Sequence, residues 1–168
     1  MSESKSVEIL KMALLMEHRG KAFYKKVAEQ TNNEVVKKIF NIMADEEQLH
    51  IEFLGKQFAF FQKNKKFDIN FINAANTDES IISQILTNNI KEKISASGFE
   101  AAAISAAIDM ENKAIEVYGE RAAQATDLHE KELYEWLSNW EKEHHKILNE
   151  LNKELTEKIW YDNNFWPY

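Results

Sequence analysis

The pattern of hydrophobic and polar positions predicts four long helices. Apolar residues return every three or four positions along most of the chain, which is the period of a helix with one buried face. The pattern predicts helices over about 4–30, 34–63, 97–125 and 127–158. Ser97 with Glu100, and Asp127 with Glu130, predict two helix starts, because such pairs cap free backbone N–H groups. With four glycines and one proline, the chain is predicted to be all-α.

The connections between these helices predict the topology. The polar residues 31–33 indicate a tight link between the first two helices, which would then lie antiparallel. Residues 64–97 have a weaker pattern and predict a long crossover with a short amphipathic helix at about 79–94. Two antiparallel hairpins joined in this way describe a ferritin-like four-helix bundle. The chain of 168 residues is predicted to form this one domain, and its aromatic tail, 159–168, to cover a bundle end or a partner subunit.

The two hairpins resemble each other in sequence. An offset of 94 residues superposes the first hairpin on the second. The matched residues are Met16 and Met110, Glu17 and Glu111, Tyr24 and Tyr118, Ala28 and Ala122, Glu47 and Glu141, His50 and His144, and Leu54 and Leu148. The chain therefore looks like an internal duplication.

Polar members of this repeat interrupt the apolar faces and are the candidate metal ligands. They are Glu17, Glu47, His50, Glu111, Glu141 and His144. Four buried carboxylates would repel one another unless cations neutralised them. One Glu from each of two helices and Glu-x-x-His from each of the others is the ligand set of dinuclear carboxylate bundles. The alternative is a polar core that is protonated or filled with water.

His145 competes with His144 for a place in this ligand set, because His145 lies four residues after Glu141. The repeat and the apolar Leu148 favour His144. His18, His129 and Glu143 fall outside the apolar faces, and we interpret them as surface residues. The remaining aromatic neighbours, Trp136 and Trp140, are interpreted as packing that seals the site from water, with electron transfer as an alternative.

The chain resembles the rubrerythrin-type, ferritin-like diiron domain across all four helices. The resemblance is carried by the segments MEHRGKAFY, DEEQLH, MENKAIEVY and EKEH. The resemblance implies terminal iron ligands at Glu17 and Glu111, and bridging ligands at Glu47 and Glu141. It implies that His50 and His144 cap the two irons. It also implies that Tyr24 and Tyr118 form hydrogen bonds with such carboxylates, with plain core packing as the alternative.

Three departures from the rubrerythrin pattern stand out. Rubrerythrins carry a further glutamate three residues after the third-helix ligand, where this chain has Ala114. Full rubrerythrins carry a rubredoxin module with four cysteines, and this chain has no cysteine, so its electrons would come from an external donor. Glu46 is placed to orient the opposite histidine, but its repeat equivalent is Trp140, which predicts two inequivalent irons.

Composition excludes several classes of function. Without cysteine there is no disulfide and no thiolate ligand. A net charge of −7 argues against a nucleic-acid partner, and the basic run 63–66 is interpreted as a solvated helix end. No apolar run reaches the roughly 18 residues of a membrane span, and the N-terminus lacks the pattern of a secretion signal. We therefore expect a cytoplasmic protein that does not enter membranes.

These patterns together favour a diiron redox protein that reduces hydrogen peroxide or dioxygen. Its expected cofactors are two iron ions, although the ligands also permit manganese or zinc. A homodimer or higher homo-oligomer is expected. One alternative is a ferroxidase or iron-storage protein, and a second is a structural bundle whose metal has no catalytic role.

Overall fold

Four helices make up the part of the chain that the structure, a computed structural model, describes, namely residues 3–68 and 98–162 with side chains for 5–68 and 98–157. They are α1 (Glu3–Gln30), α2 (Glu34–Asn64), α3 (Gly98–Gln124) and α4 (Leu128–Asp162). No strand occurs in these ranges, which confirms the all-α prediction. The predicted helix at 79–94 lies outside the described residues. Within the described ranges, every helix lacks the long apolar stretch that a membrane crossing requires.

Capping explains where α2 begins and ends. The Asn33 side-chain oxygen accepts hydrogen bonds from the backbone N–H groups of Val35 and Val36, at 3.0 and 3.2 Å. At the other end Lys65 adopts a left-handed conformation with φ 59°, and its N–H donates to the carbonyl of Phe61. The basic residues 63–66 are exposed, as predicted.

The predicted capping box at α4 lies within the described residues, whereas Ser97 of the box predicted at α3 lies outside them. The carboxylate of Glu100 accepts a hydrogen bond at 2.7 Å from Thr31, in the α1–α2 turn. At α4, Asp127 caps the backbone N–H of Glu130, but the Glu130 side chain pairs with Arg121. Each glutamate therefore joins two elements of the fold.

Two hydrophobic clusters fill the bundle, one on each side of its middle level. One cluster contains the C-terminal half of α1, including Val27, and the start of α3, including Ala103. The other contains Leu10 of α1 and Phe61 near the end of α2. The end of α2 and the start of α3 therefore lie at opposite ends of the bundle, and α1 runs antiparallel to α3. This arrangement agrees with two hairpins joined by a long crossover.

The fourth helix is longer than predicted. It continues past Lys158 to Asp162 and so includes the first residues of the predicted aromatic tail. Residues 163–168 lie outside the described residues, and the predicted packing of the tail stays a prediction.

Candidate metal centre

The six predicted ligands are buried together between the two hydrophobic clusters. Their ligand atoms form two groups, each with all atoms within 4.8 Å of one another. One group is Glu17, Glu47, His50 and Glu141, and the other is Glu47, Glu111, Glu141 and His144. Glu47 and Glu141 belong to both groups. This sharing is the geometry expected of two carboxylates that bridge two neighbouring ions.

His50 directs one ring nitrogen toward the carboxylates. Its Nδ1 lies 3.1 Å from an oxygen of Glu17 and 3.2 Å from oxygens of both Glu47 and Glu141. Its Nε2 is buried without a hydrogen-bond partner among the described residues. The imidazole stands perpendicular to the Trp140 ring, with centroids 4.7 Å apart. His50 is therefore placed by packing on its outer side and by carboxylates on its inner side.

His144 faces the same centre but is held differently. Its Nδ1 lies 3.3 Å from an oxygen of Glu141 and 3.5 Å from oxygens of Glu47 and Glu111. Its Nε2 lies 2.7 Å from a carboxylate oxygen of Glu46. The predicted contact between Glu46 and the opposite histidine is confirmed. A carboxylate on the outer ring nitrogen fixes the tautomer and orientation of a metal-binding histidine.

The carboxylates divide into two electrostatic kinds. Burial, with the negative charge of Glu141 as the next cause, raises the pKa of Glu17 and of Glu111 well above the usual value. Burial acts the same way on Glu47, but hydrogen bonds from Glu17 and both histidines outweigh it and lower its pKa to about 2. Burial also opposes ionisation of Glu141, yet the charge of His50 and the histidine hydrogen bonds lower its pKa well below the usual value. The shared carboxylates are thus the ionised ones.

The pKa values of both histidines are raised, which favours their charged form. Burial disfavours the charged ring of His50, but the charge and hydrogen bond of Glu141 raise its pKa well above the usual value. Burial acts likewise on His144, and hydrogen bonds to Glu111 and the other carboxylates raise its pKa. Without metal, protonated imidazoles therefore face the ionised carboxylates. Protons supply the positive charge that cations would otherwise supply.

The donor set fits two cations. Among the described residues, three buried atoms at this level lack a well-aligned hydrogen bond. They are Nε2 of His50 and, despite oppositely charged neighbours at 3.2 to 3.5 Å, Nδ1 of His144 and Oε1 of Glu141. The last two lie on the side of their residues that faces the shared centre, where a positive ion would complete their bonding. Carboxylate oxygens and imidazole nitrogens are ligands for iron, manganese and zinc, and the ligand types alone do not select among these metals.

Metal binding at this centre is expected to weaken as the pH falls. The raised pKa values of Glu17, Glu111 and both histidines mean that protons occupy ligand atoms in the metal-free protein. A metal ion must displace these protons, so a higher pH favours loading and a lower pH favours release. Adding Mn²⁺ to weakly buffered metal-free protein should therefore acidify the solution. Loading without proton release would contradict this charge balance.

The contact between Glu46 and His144 predicts that the two metals bind unequally. Replacing Glu46 with alanine removes the hydrogen bond on the outer nitrogen of His144 and leaves His50 untouched. Loss of such an outer partner typically lowers metal affinity by roughly 10- to 100-fold. Calorimetric titration of Glu46→Ala should show one weakened and one nearly unchanged metal. Equal weakening of both, or of neither, would show that Glu46 does not serve the His144 side alone.

Tyr24 and Tyr118 link the two hairpins across the centre. The hydroxyl of Tyr24 donates a hydrogen bond to Glu111, and the hydroxyl of Tyr118 donates one to Glu17. Each tyrosine thus contacts the glutamate of the other repeat and not the one earlier on its own helix. Burial raises the pKa of both hydroxyls well above the usual value, so they stay protonated donors. A catalytic role for them stays a prediction.

The residues interpreted as surface or edge positions lie away from this centre. His145 is partly exposed and contacts Asn149, whereas His144 is fully buried. His18 and Glu143 are exposed, and His129 is partly exposed beside Glu132. The choice of His144 over His145 therefore agrees with the structure.

A cavity of about 210 Å³ connects the centre with the surface between α1 and α3. Buried Glu17 and Glu111 lie on its wall, and exposed Arg19 and Lys113 lie at its mouth. Gly20 keeps its wall open, because a Cβ there would stand 3.4 Å from the Glu47 carboxyl carbon. The sequence did not predict this cavity. The repeat positions of its lining residues on the two helices are the signal that could have indicated it.

Ala114, the position where rubrerythrins carry a further glutamate, lies on the wall of the same cavity. Its repeat equivalent is Gly20, so small side chains occupy both matched positions. The chain thus has open space beside Glu111 and Glu141 where the rubrerythrin pattern has an additional carboxylate.

Fold and ligand geometry together define a ferritin-like four-helix bundle with a buried carboxylate–histidine cluster able to bind metal. The family model described as Rubrerythrin matches residues 8–152, and the chain therefore belongs to the rubrerythrin family. The predicted resemblance is confirmed. No curated protein and no solved structure matches the chain.

Proposed function

We propose that this protein is a diiron oxidoreductase that reduces hydrogen peroxide or dioxygen with electrons from an external donor. The observation that supports the proposal is the pair of ligand groups that share Glu47 and Glu141, at the inner end of an open cavity. Two iron ions held side by side would supply the two electrons that convert one hydrogen peroxide molecule into two water molecules. Iron is proposed as the metal because of the family, and we propose a cytoplasmic homo-oligomer.

Residues of the chain would hold protons for this reaction next to the centre. Reduction of hydrogen peroxide to water consumes two protons together with the two electrons. The hydroxyl of Tyr24 donates a hydrogen bond to Glu111, and that of Tyr118 donates one to Glu17. Both glutamates line the cavity. We propose that these hydroxyls orient the two carboxylates and hold protons next to the entering oxidant. The hydrophobic clusters above and below would keep bulk water from reaching the centre along the bundle axis.

The charge at the cavity mouth favours an oxidant over Fe²⁺ as the species that enters. Arg19 is exposed at the mouth and forms no ion pair with any residue that the structure describes. Lys113 lies at the mouth too, paired with Glu116 at 2.5 Å. The charge of Arg19 repels a cation that enters by the mouth but leaves neutral peroxide or dioxygen unaffected. This feature supports oxidant reduction over iron storage.

Reversing the charge of Arg19 should therefore speed iron uptake but not peroxide reduction. Arg19→Glu replaces a repulsive charge at the mouth with an attractive one, and such steering is strongest at low ionic strength. We expect faster Fe²⁺ loading in stopped-flow measurements, with the difference fading as salt is added. Lys11→Glu makes the same charge change at an exposed α1 position that does not line the cavity. Equal loading rates in both variants would contradict the assigned role of the mouth.

The proposed function is tested by loading the protein with Fe²⁺ without oxygen and adding one equivalent of hydrogen peroxide. The expected result is two irons per chain and rapid ferric absorption that a reductant reverses over repeated cycles. Loading far beyond two irons per chain would support storage. Stable iron with no response to peroxide or dioxygen would leave a structural metal site, and the redox proposal would be rejected.

A further inference from the structure

Equivalent positions of the repeat carry different chemistry on the outer sides of the two histidines. Glu46 forms a hydrogen bond with the outer nitrogen of His144. The equivalent position in the second hairpin is Trp140, whose ring lies against His50. The outer nitrogen of His50 finds no hydrogen-bond partner among the described residues. An aromatic ring therefore lies against the outer side of His50, where the outer side of His144 contacts a carboxylate.

Trp140 is one member of a short series of touching rings. Its centroid lies 4.7 Å from that of His50 and 4.9 Å from that of Trp136. Trp136 in turn lies 5.9 Å from His50 and 4.6 Å from Phe53. His50 is fully buried, whereas Trp136 and Trp140 are both partly exposed. The two indoles therefore extend from a candidate metal ligand to the protein surface on α4.

We propose that Trp140, together with Trp136, relays single electrons between an external donor at this surface and the metal centre through His50. This inference rests on the proposed function, because a peroxide-reducing centre must be supplied with electrons. Indole loses an electron more readily than any hydrocarbon side chain, and tunnelling slows exponentially with distance. Closely spaced rings therefore offer a faster route than the surrounding aliphatic core.

The relay exchanges electrons and leaves the chain unchanged. When the centre holds oxidised iron, each electron would pass across the rings of Trp136 and Trp140 from the donor, a protein or molecule that transfers one electron at a time, and the indoles would end each passage in the state in which they began. Two such passages, with two protons from outside the relay, restore what the reduction of one hydrogen peroxide to two waters consumes. The indole contributes no atom to the products.

The structural alternative is that Trp140 only covers His50. A cover needs an aromatic ring of suitable size, while a relay needs an oxidisable one. Trp140→Phe keeps an aromatic face against His50 and removes the readily oxidised indole, so the two roles predict different results. Tyr134→Phe is the matched control: Tyr134 stacks on Tyr118, and the change removes only a hydroxyl from an aromatic pair on another side of the centre.

The first measurement is the stopped-flow rate at which reduced methyl viologen reduces the iron-loaded, air-oxidised protein. Trp140→Phe should be slower by about tenfold, a barrier increase of about 1.4 kcal/mol, at unchanged iron content and helix content. Tyr134→Phe should match the wild type. A wild-type rate in Trp140→Phe, or slowing only in Tyr134→Phe, would overturn the proposal. Because no peroxide is used, this result is separate from the test of the proposed function.

A second measurement needs no variant, so it tests the electron relay even if Trp140→Phe fails to fold. Peroxide is added to iron-loaded wild type without a donor, and tryptophan oxidation is mapped by mass spectrometry. Without a donor the indole loses two electrons and two protons and gains the oxygen of water, while peroxide takes up those electrons and protons. We expect hydroxylation concentrated at Trp140 and Trp136 and dependent on iron. Equal oxidation at Trp160 and Trp166, or none at Trp140, would overturn the relay.

Discussion

Replacing Glu47 with alanine is expected to abolish the binding of both metal ions. Glu47 contributes to both ligand groups, so one substitution removes an oxygen ligand from each ion. Losing an outer partner such as Glu46 already costs roughly 10- to 100-fold in affinity, and a shared direct ligand should cost more. Glu17→Ala, which removes a ligand from one group only, should leave one metal bound.

Elemental analysis after loading with Fe²⁺ or Mn²⁺ gives the number of metals per chain in each variant. Thermal unfolding supplies an independent readout, because a ligand that binds only the folded state raises the unfolding temperature. Added metal should raise it for the wild type and not for Glu47→Ala. Glu143→Ala removes an exposed carboxylate from α4 and serves as the control. Two tightly bound metals in Glu47→Ala would mean that this carboxylate does not bridge.

The sequence predicted the helices and the candidate ligands because both depend on spacing along a single helix. An acid or imidazole on an apolar face is visible without knowing which helix lies opposite. The matched positions of Glu17 and Glu111, or of His50 and His144, then doubled the signal. The end of α4 was placed too early, since the aromatic residues after Lys158 no longer follow the spacing of the core and the helix nevertheless continues to Asp162.

Contacts between helices were not predictable in the same way. Tyr118 follows Glu111 by two turns, but the sequence did not indicate which of the carboxylates its hydroxyl would meet. The structure pairs Tyr118 with Glu17. Antiparallel α1 and α3 bring each tyrosine to the level of the opposite glutamate, and only the three-dimensional packing contains this relation. The same holds for Glu100, whose carboxylate accepts a hydrogen bond from Thr31 in the α1–α2 turn.

A further feature that the sequence did not indicate is a buried ion pair at the end of the bundle where α3 and α4 connect. Arg121 near the end of α3 pairs with Glu130 near the start of α4, and these residues are only 4% and 1% exposed. The guanidinium also lies over the Tyr134 ring, 5.9 Å from its centroid. Tyr134 stacks on Tyr118, which bonds to the ligand Glu17. The pair therefore packs against the outer end of an aromatic stack formed by Tyr134 and Tyr118.

Arg121→Ala is expected to destabilise the fold by about 3–5 kcal/mol. The substitution leaves the carboxylate of Glu130 buried without its positive partner, and an uncompensated buried charge carries a cost of this size. Urea unfolding of the metal-free protein measures the effect. The exposed pair of Lys26 with Glu29, at 3.4 Å, is the comparison, and Lys26→Ala should cost less than about 1 kcal/mol.

A second variant distinguishes the charge of the pair from its volume. In Arg121→Met with Glu130→Leu, both charges are replaced by apolar groups of similar size, and such replacement of a buried pair is often neutral or stabilising. We therefore expect the double variant to recover most of the stability that Arg121→Ala loses. If both variants were equally unstable, the contribution of Arg121 would lie in packing over Tyr134, and the ion pair would not be the reason that α3 and α4 close at this end.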